Sequence, residues 1–245
     1  MIEFNIEKYL DSLPDDVDTI DVSSKNLNYL PNLSRFKKLE KLYCGNNNLT
    51  SLPVLPEKLE RLYCYENNLI SLPILPENLE RLYCEYNQLT SLPVLPKNLK
   101  ELYCHNNELM SLPVLPEKLK DLFCYNNKLT SLPILPEYLT WLYCHDNKLR
   151  SLPTINKPLT WLSYHNNPIH GIINDISITY EHYFNFNKIN KKMAIWNNFR
   201  YLYYCLKYRK RFLKIMEPII KKRYHPSYLD DLKEEDDLDE KLGAW

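Results

Sequence analysis

Seven cysteines and six histidines have the widest chemical reach in this 245-residue chain, and their spacing sets what that reach amounts to. Cys44, Cys64, Cys84, Cys104, Cys124 and Cys144 recur at every twentieth position, and Cys205 stands apart. Thiols in such number could serve a metal, a disulfide framework or a nucleophile. Each of the six lies two residues after a leucine, as in Leu42-x-Cys44, so in a strand it shares the leucine's face. Successive strands then stack the thiols in one row. A tetrahedral zinc site needs ligands that converge from several directions, which a row cannot offer. Parallel neighbours bring Cα atoms near disulfide range, but their Cβ vectors run side by side, and the total is odd. The expectation is six small buried hydrophobes. Cys205, among Tyr, Leu and Lys, has the same reading.

Other chemistry is no better supported. His105, His145 and His165 share one column interrupted by Tyr125, with no carboxylate held beside a nucleophile; they are expected on an open surface. Gly45, Gly171 and Gly243 are the only glycines, so no glycine-rich phosphate loop exists. The reading is a non-enzymatic protein without metal or cofactor.

The element that positions these columns is a repeat. Leu59 opens LERLYCYENNLISLPILPEN and Leu79 opens LERLYCEYNQLTSLPVLPKN, both on the skeleton LxxLxCxxNxLxSLPxLPxx. A fixed period of 20 to 50 residues marks a solenoid. LxxLxC suits a short strand with one buried face, and successive coils stack these as a parallel sheet with strands ~4.8 Å apart. Asn47, Asn67, Asn87, Asn107, Asn127, Asn147 and Asn167 form a second column. An amide with donors and an acceptor can satisfy backbone groups where the chain turns inward. In the return path, prolines at i and i+3 remove donors and fix φ, which excludes a helix and suits polyproline II.

The pattern LxxLxCxxNxL resembles the leucine-rich repeat, and the LPxLP return resembles the short LPX subtype of secreted bacterial effectors. The likeness runs from Val17 to Ile169, with seven units aligned without gaps from Leu39. An eighth unit precedes them: Val17, Ile20, Val22 and Leu27 hold the apolar slots, Lys25 stands at the Asn position, and the return lacks the second proline. The seventh aligned unit carries Tyr164 for Cys. Atypical end units suit the caps of a solenoid. The resemblance implies a leucine-rich-repeat solenoid with short parallel strands on the concave face and an extended, polyproline-II convex side. It implies protein binding. The ubiquitin ligases among such effectors carry a large catalytic domain after the repeats; residues 170–245 are too few for it, and Cys205 has no acidic residue two places on.

Strand alternation turns three columns outward. The central one reads Tyr43, Tyr63, Tyr83, Tyr103, Phe123, Tyr143 and Ser163. Two residues earlier stand Lys41, Arg61, Arg81, Glu101, Asp121, Trp141 and Trp161; two later, Gly45, Tyr65, Glu85, His105, Tyr125, His145 and His165. Ring stacking along a sheet accounts for the tyrosines. It does not account for two tryptophans beside two histidines, and Trp, Tyr and Arg dominate protein interfaces. The expected partner-binding set is Trp141, Tyr143, His145, Trp161, His165, Tyr103 and Phe123, with Arg61 and Arg81 orienting the partner.

Beyond the array the composition changes. The expected divisions are an N-terminal cap over 1–16, repeats over 17–169, a helical C-terminal cap over 170–228 and an acidic tail over 229–245. Trp196, Phe199, Tyr203 and Leu206 make one helical stripe, and residues 188–223 hold twelve Lys or Arg against Glu217. The ending from Lys214 to Trp245 resembles that of repeat proteins from giant DNA viruses of amoebae, which implies a viral origin. The acidic start lacks the features of a signal peptide, and no apolar run spans a membrane, so the expected place is the cytoplasm, a host's if the protein is viral. The functional expectation is a non-catalytic module that binds a protein partner on the concave aromatic face. The alternatives are a nucleic-acid-associated protein using the basic C-terminal helix, and an adaptor in ubiquitin transfer.

Overall fold

In this computed structural model, residues 4–155 and 159–169 are described. The expected helical C-terminal cap, the acidic tail and Cys205 lie outside the described residues.

Each LxxLxC unit yields one three-residue strand. They run β1 (Thr19–Asp21), β2 (Lys41–Tyr43), β3 (Arg61–Tyr63), β4 (Arg81–Tyr83), β5 (Glu101–Tyr103), β6 (Asp121–Phe123), β7 (Trp141–Tyr143) and β8 (Trp161–Ser163). All pair in parallel, in chain order, as one eight-stranded sheet. From β2 onward Leu42 stands beside Leu62 and Tyr43 beside Tyr63, so the 20-residue period is the register itself. The first coil is longer, and pairs Ile20 with Leu42. A short helix, α1 (Ile6–Ser12), precedes the sheet; the Asn5 side chain caps it by accepting from Lys8 N at 2.8 Å. Ile6 and Leu10 are buried, so α1 turns its apolar side inward, as an N-terminal cap must.

The core is a stack of identical layers. In the coil from Leu99, the side chains of Leu99, Leu102, Cys104 and Leu109 are all fully buried. The six cysteines of the array are free thiols without solvent contact, and burial pushes Cys44 and Cys124 up to about 12. Such thiols are poor nucleophiles at neutral pH, in keeping with a packing role. Among the described residues the return segments hold neither helix nor strand, and a turn closes those described in full, with Leu59 N donating to Pro56 O at 3.1 Å.

The asparagine column carries the turns. Asn67 Oδ1 accepts from Leu49 N of the preceding coil at 2.9 Å. Its Nδ2 donates to Cys44 O at 3.0 Å, to Cys64 O at 3.2 Å and to Tyr65 O at 3.1 Å. The residue before each ladder Asn adopts a left-handed backbone, from Asn46 at φ 54° to Asn166 at φ 52°. Asn and Asp tolerate this conformation best, and they hold five of the seven places in that column (46, 106, 126, 146 and 166).

Two polar side chains flanking the core are not fully open. Lys100 is half-buried, with Nζ 2.6 Å from Glu80 Oε1, because a long side chain reaches across one strand spacing. Asn106 is half-buried and left-handed at φ 53°. The exposed Lys97 is therefore the proper control for a core change. Leu102→Ala should cost ~2–5 kcal/mol and Lys97→Ala almost nothing; equal melting by circular dichroism would displace Leu102 from the core. Glycine separates the two neighbouring asparagines. Asn106→Gly relieves the left-handed residue and should melt at or above the parent, whereas Asn107→Gly strips the ladder and should cost ~1–3 kcal/mol. Thermal melts of the pair, if reversed in order, would assign the amide's work to the wrong residue.

Candidate functional site

The outward residue of each strand meets its like on the next, because in-register strands place equivalent side chains side by side. From Tyr43 to Tyr143 the rings form an unbroken ladder, with centroids 4.5, 4.7, 4.4, 4.3 and 4.5 Å apart. Most pairs stack; Tyr83–Tyr103 and Tyr103–Phe123 meet edge to face. Stacking covers the ring faces, so these aromatics are half-buried although they point away from the core. A second ladder runs beside it through His105, Tyr125, His145 and His165, at 4.2, 4.4 and 4.4 Å.

At β7 and β8 the ladders meet the tryptophans. Trp141 lies 6.3 Å from Tyr143 and 6.5 Å from Trp161, and Trp161 lies 6.2 Å from Tyr143. Tyr143 meets His145 edge-on at 6.2 Å. The five residues expected to gather here do so. Trp141 is 39% exposed and His165 is exposed as well, while Trp161 is half-buried. Tyr103 and Phe123 belong to the central ladder, two coils and one coil before the cluster respectively. Ser163 ends that ladder, its hydroxyl 3.1 Å from His145 Nδ1.

The charged column has its own structure. Arg81 Nε lies 3.2 Å from Glu101 Oε1, and Tyr83 donates its hydroxyl hydrogen bond to Glu101. Burial raises the Tyr83 phenol, and the Glu101 contact adds to the shift. Among the described residues Arg61 and Asp121 form no salt bridge, although the Thr140 hydroxyl donates to Asp121 at 3.2 Å.

His105 departs from expectation. It is only 9% exposed, covered by Tyr125 in parallel and by Tyr86 edge-on at 5.4 Å, and its Nδ1 is buried without a hydrogen-bond partner. Burial lowers its pKa to about 4, and the His145 charge adds to that. Its column neighbour Glu85 is raised to about 7, again mainly by burial. A further surface went unread in the sequence. Val54, Ile74, Val94, Val114 and Ile134, each at the x of LPxLP, make a row on the return side that is 80–89% exposed. The aliphatic residue in that slot was the available signal.

Two titrations oppose one another. Between about 4.5 and 7 the folded state holds the Glu85 proton more tightly than the unfolded chain, so its contribution to stability falls as pH rises. Between about 4 and 6.5 the unfolded chain binds the His105 proton more tightly, so that contribution grows with pH. Glu85→Gln removes the first alone. The variant should gain on the parent as pH rises from 4.5 to 8, by on the order of 1–3 kcal/mol. Tm profiles that run parallel over this range would show Glu85 to be freely hydrated.

Comparison with known proteins follows the same lines. The family described as Leucine Rich repeats (2 copies) matches residues 77–117. No curated protein sequence matches the chain. Among solved structures, YopM from Yersinia enterocolitica WA-314 is similar at 36% identity and a TM-score of 0.60, over 64% of this chain and 34% of that one. The leucine-rich effector YopM from Yersinia pestis is similar at 33% identity and 0.56, over 61% and 49%. The chain thus spans half or less of either YopM. The LRR domain of a Shigella effector is similar at 30% identity and 0.59, over 71% of this chain and 81% of that domain. With the repeat register, the asparagine ladder and most of that effector domain matched together, the chain belongs to the leucine-rich repeat proteins.

Proposed function

We propose that this protein is a non-catalytic recognition module that binds a protein partner on the outward face of its sheet, chiefly at β7 and β8. The observation that carries the reading is the cluster of Trp141, Tyr143, His145, Trp161 and His165, five rings from two adjacent coils in mutual contact. Indole and phenol rings combine large apolar area with a polar edge and few rotors to freeze, which favours affinity per residue. Arg61 stands four coils from Trp141 and suits orientation of the approaching partner rather than its retention. The likeness to Yersinia and Shigella effectors supports an effector-like role inside a host cell, and the virus-like ending supports a viral source for it.

Trp141→Ala should weaken capture of the partner by ~2 kcal/mol or more while leaving the melting temperature nearly unchanged. Arg61→Ala should act on association rate and salt dependence. The measurement is a quantitative pull-down from host lysate with parent and variants, followed by titration of the captured protein. If Trp141→Ala binds like the parent, the partner surface lies elsewhere; if the variant unfolds, the indole is part of the packing.

A further inference from the structure

The charges on the outward face change sign at its midpoint. The column at the start of each strand reads Lys41, Arg61, Arg81 in β2–β4, then Glu101, Asp121 in β5 and β6. The residue just before each strand reads Glu40, Glu60, Glu80, then Lys100, Lys120. Both columns invert between β4 and β5, which is the centre of the eight-stranded sheet. At that seam the opposite charges meet within the chain, as Arg81–Glu101 at 3.2 Å and Lys100–Glu80 at 2.6 Å. Away from the seam they do not. Arg61, Asp121, Glu60 and Lys120 form no salt bridge among the described residues, and Arg61 Nε is buried without a hydrogen-bond partner.

A pattern that inverts about its centre is complementary to itself. A two-fold axis laid parallel to the strands, between two facing sheets, keeps each residue's place along the strand and reverses the order of coils. Laid over the seam, it sets β4 against the second copy's β5, β3 against its β6, β2 against its β7 and β1 against its β8. Arg61 then faces the second copy's Asp121, and Glu60 faces its Lys120, each pair occurring twice, as a two-fold interface requires. Lys41 comes opposite the indole of the second copy's Trp141, a cation–π match. The half-buried ring ladder runs beside these charged columns and faces its own counterpart across the axis. Seven strand spacings of ~4.8 Å make the face about 34 Å long.

We propose that the outward face associates with a second copy of this chain, in antiparallel coil order about the β4–β5 seam. This rests on the reading that the face is a partner surface and names one partner for it. The two charge columns sum to zero, so the pattern exerts little pull at a distance; its effect is to set register at contact, where like charges brought together are costly.

Charge exchange tests the register, because Arg61 and Asp121 are three coils apart within one chain and meet only across the axis. The full-length protein should sediment as a concentration-dependent dimer in analytical ultracentrifugation. Arg61→Glu alone sets two carboxylates together at each crossing, and Asp121→Arg alone sets two cations together. Each variant should self-associate roughly tenfold or more weakly, a loss of ~1.4 kcal/mol or more. Mixed in equal amounts, the two should recover the parent's dimer, since both crossings are again matched. A monomeric parent, variants that dimerise like it, or a mixture that stays dissociated would each overturn the proposal. The first of these outcomes, with Trp141→Ala still abolishing capture of another protein, would leave the recognition reading standing and remove the second copy as its partner.

Discussion

Each ladder asparagine serves the coil before its own, and the array depends on that one-way arrangement. Asn87 Oδ1 accepts from Leu69 N, and its Nδ2 reaches back to Cys64 O. No coil can therefore satisfy its turn alone, and an unpaired backbone group buried there would cost ~1–3 kcal/mol. The direction explains the first coil. Lys25 stands where an asparagine would be, yet that turn is complete, because Asn47 of the next coil accepts from Lys25 N and Leu27 N and donates to Val22 O. The ladder can start without its own amide. Stability in such an array is shared between neighbours rather than held by any one repeat.

The left-handed residue beside each ladder Asn sets a second constraint, and its exceptions touch the site. Glu66 and Tyr86 occupy that column at φ 49° and 53°, where a Cβ costs roughly 1–2 kcal/mol. For Tyr86 the structure shows an offset. Its ring meets His105 edge-on and helps close the imidazole off from water. A local rule broken beside a buried, unpartnered histidine is what sequence reasoning would expect at a functional or strained position.

The architecture was legible because period and register are the same quantity here. Twenty residues return the chain to the same column, so the skeleton alone places Leu42 beside Leu62, Cys44 above Cys64 and Asn47 above Asn67. What was not legible lies in how long side chains use the spacing between strands. Reach across one coil holds Lys100 against Glu80, and stacked rings bury His105 on a face that alternation turns outward. The left-handed column carried a readable sign in the pairs Asn46-Asn47, Asn106-Asn107, Asn126-Asn127 and Asn166-Asn167. So did α1, where Asn5 precedes the helix and Glu7 lies in its first turn. The gathering of the two tryptophans followed from register alone; the difference in their exposure did not.

Core and face make almost independent demands on this sequence. The inward positions are filled by the same residue in nearly every coil, as stacking of equal layers requires. The outward positions change from coil to coil without disturbing the strand, since Arg61, Glu101, Asp121 and Trp141 all occupy the first residue of equivalent strands. Packing thus leaves the face free to be written in charge and aromatic character. Two features written there lie outside the core columns. One is the sign inversion at the β4–β5 seam, which breaks the equivalence of the two halves. The other is the replacement of charge by indole in β7 and β8. The indoles extend the ring stacking of Tyr143, whereas the leucine, cysteine and asparagine columns make no use of the charge inversion. Their chemistry is therefore best understood as addressed to whatever lies across the face.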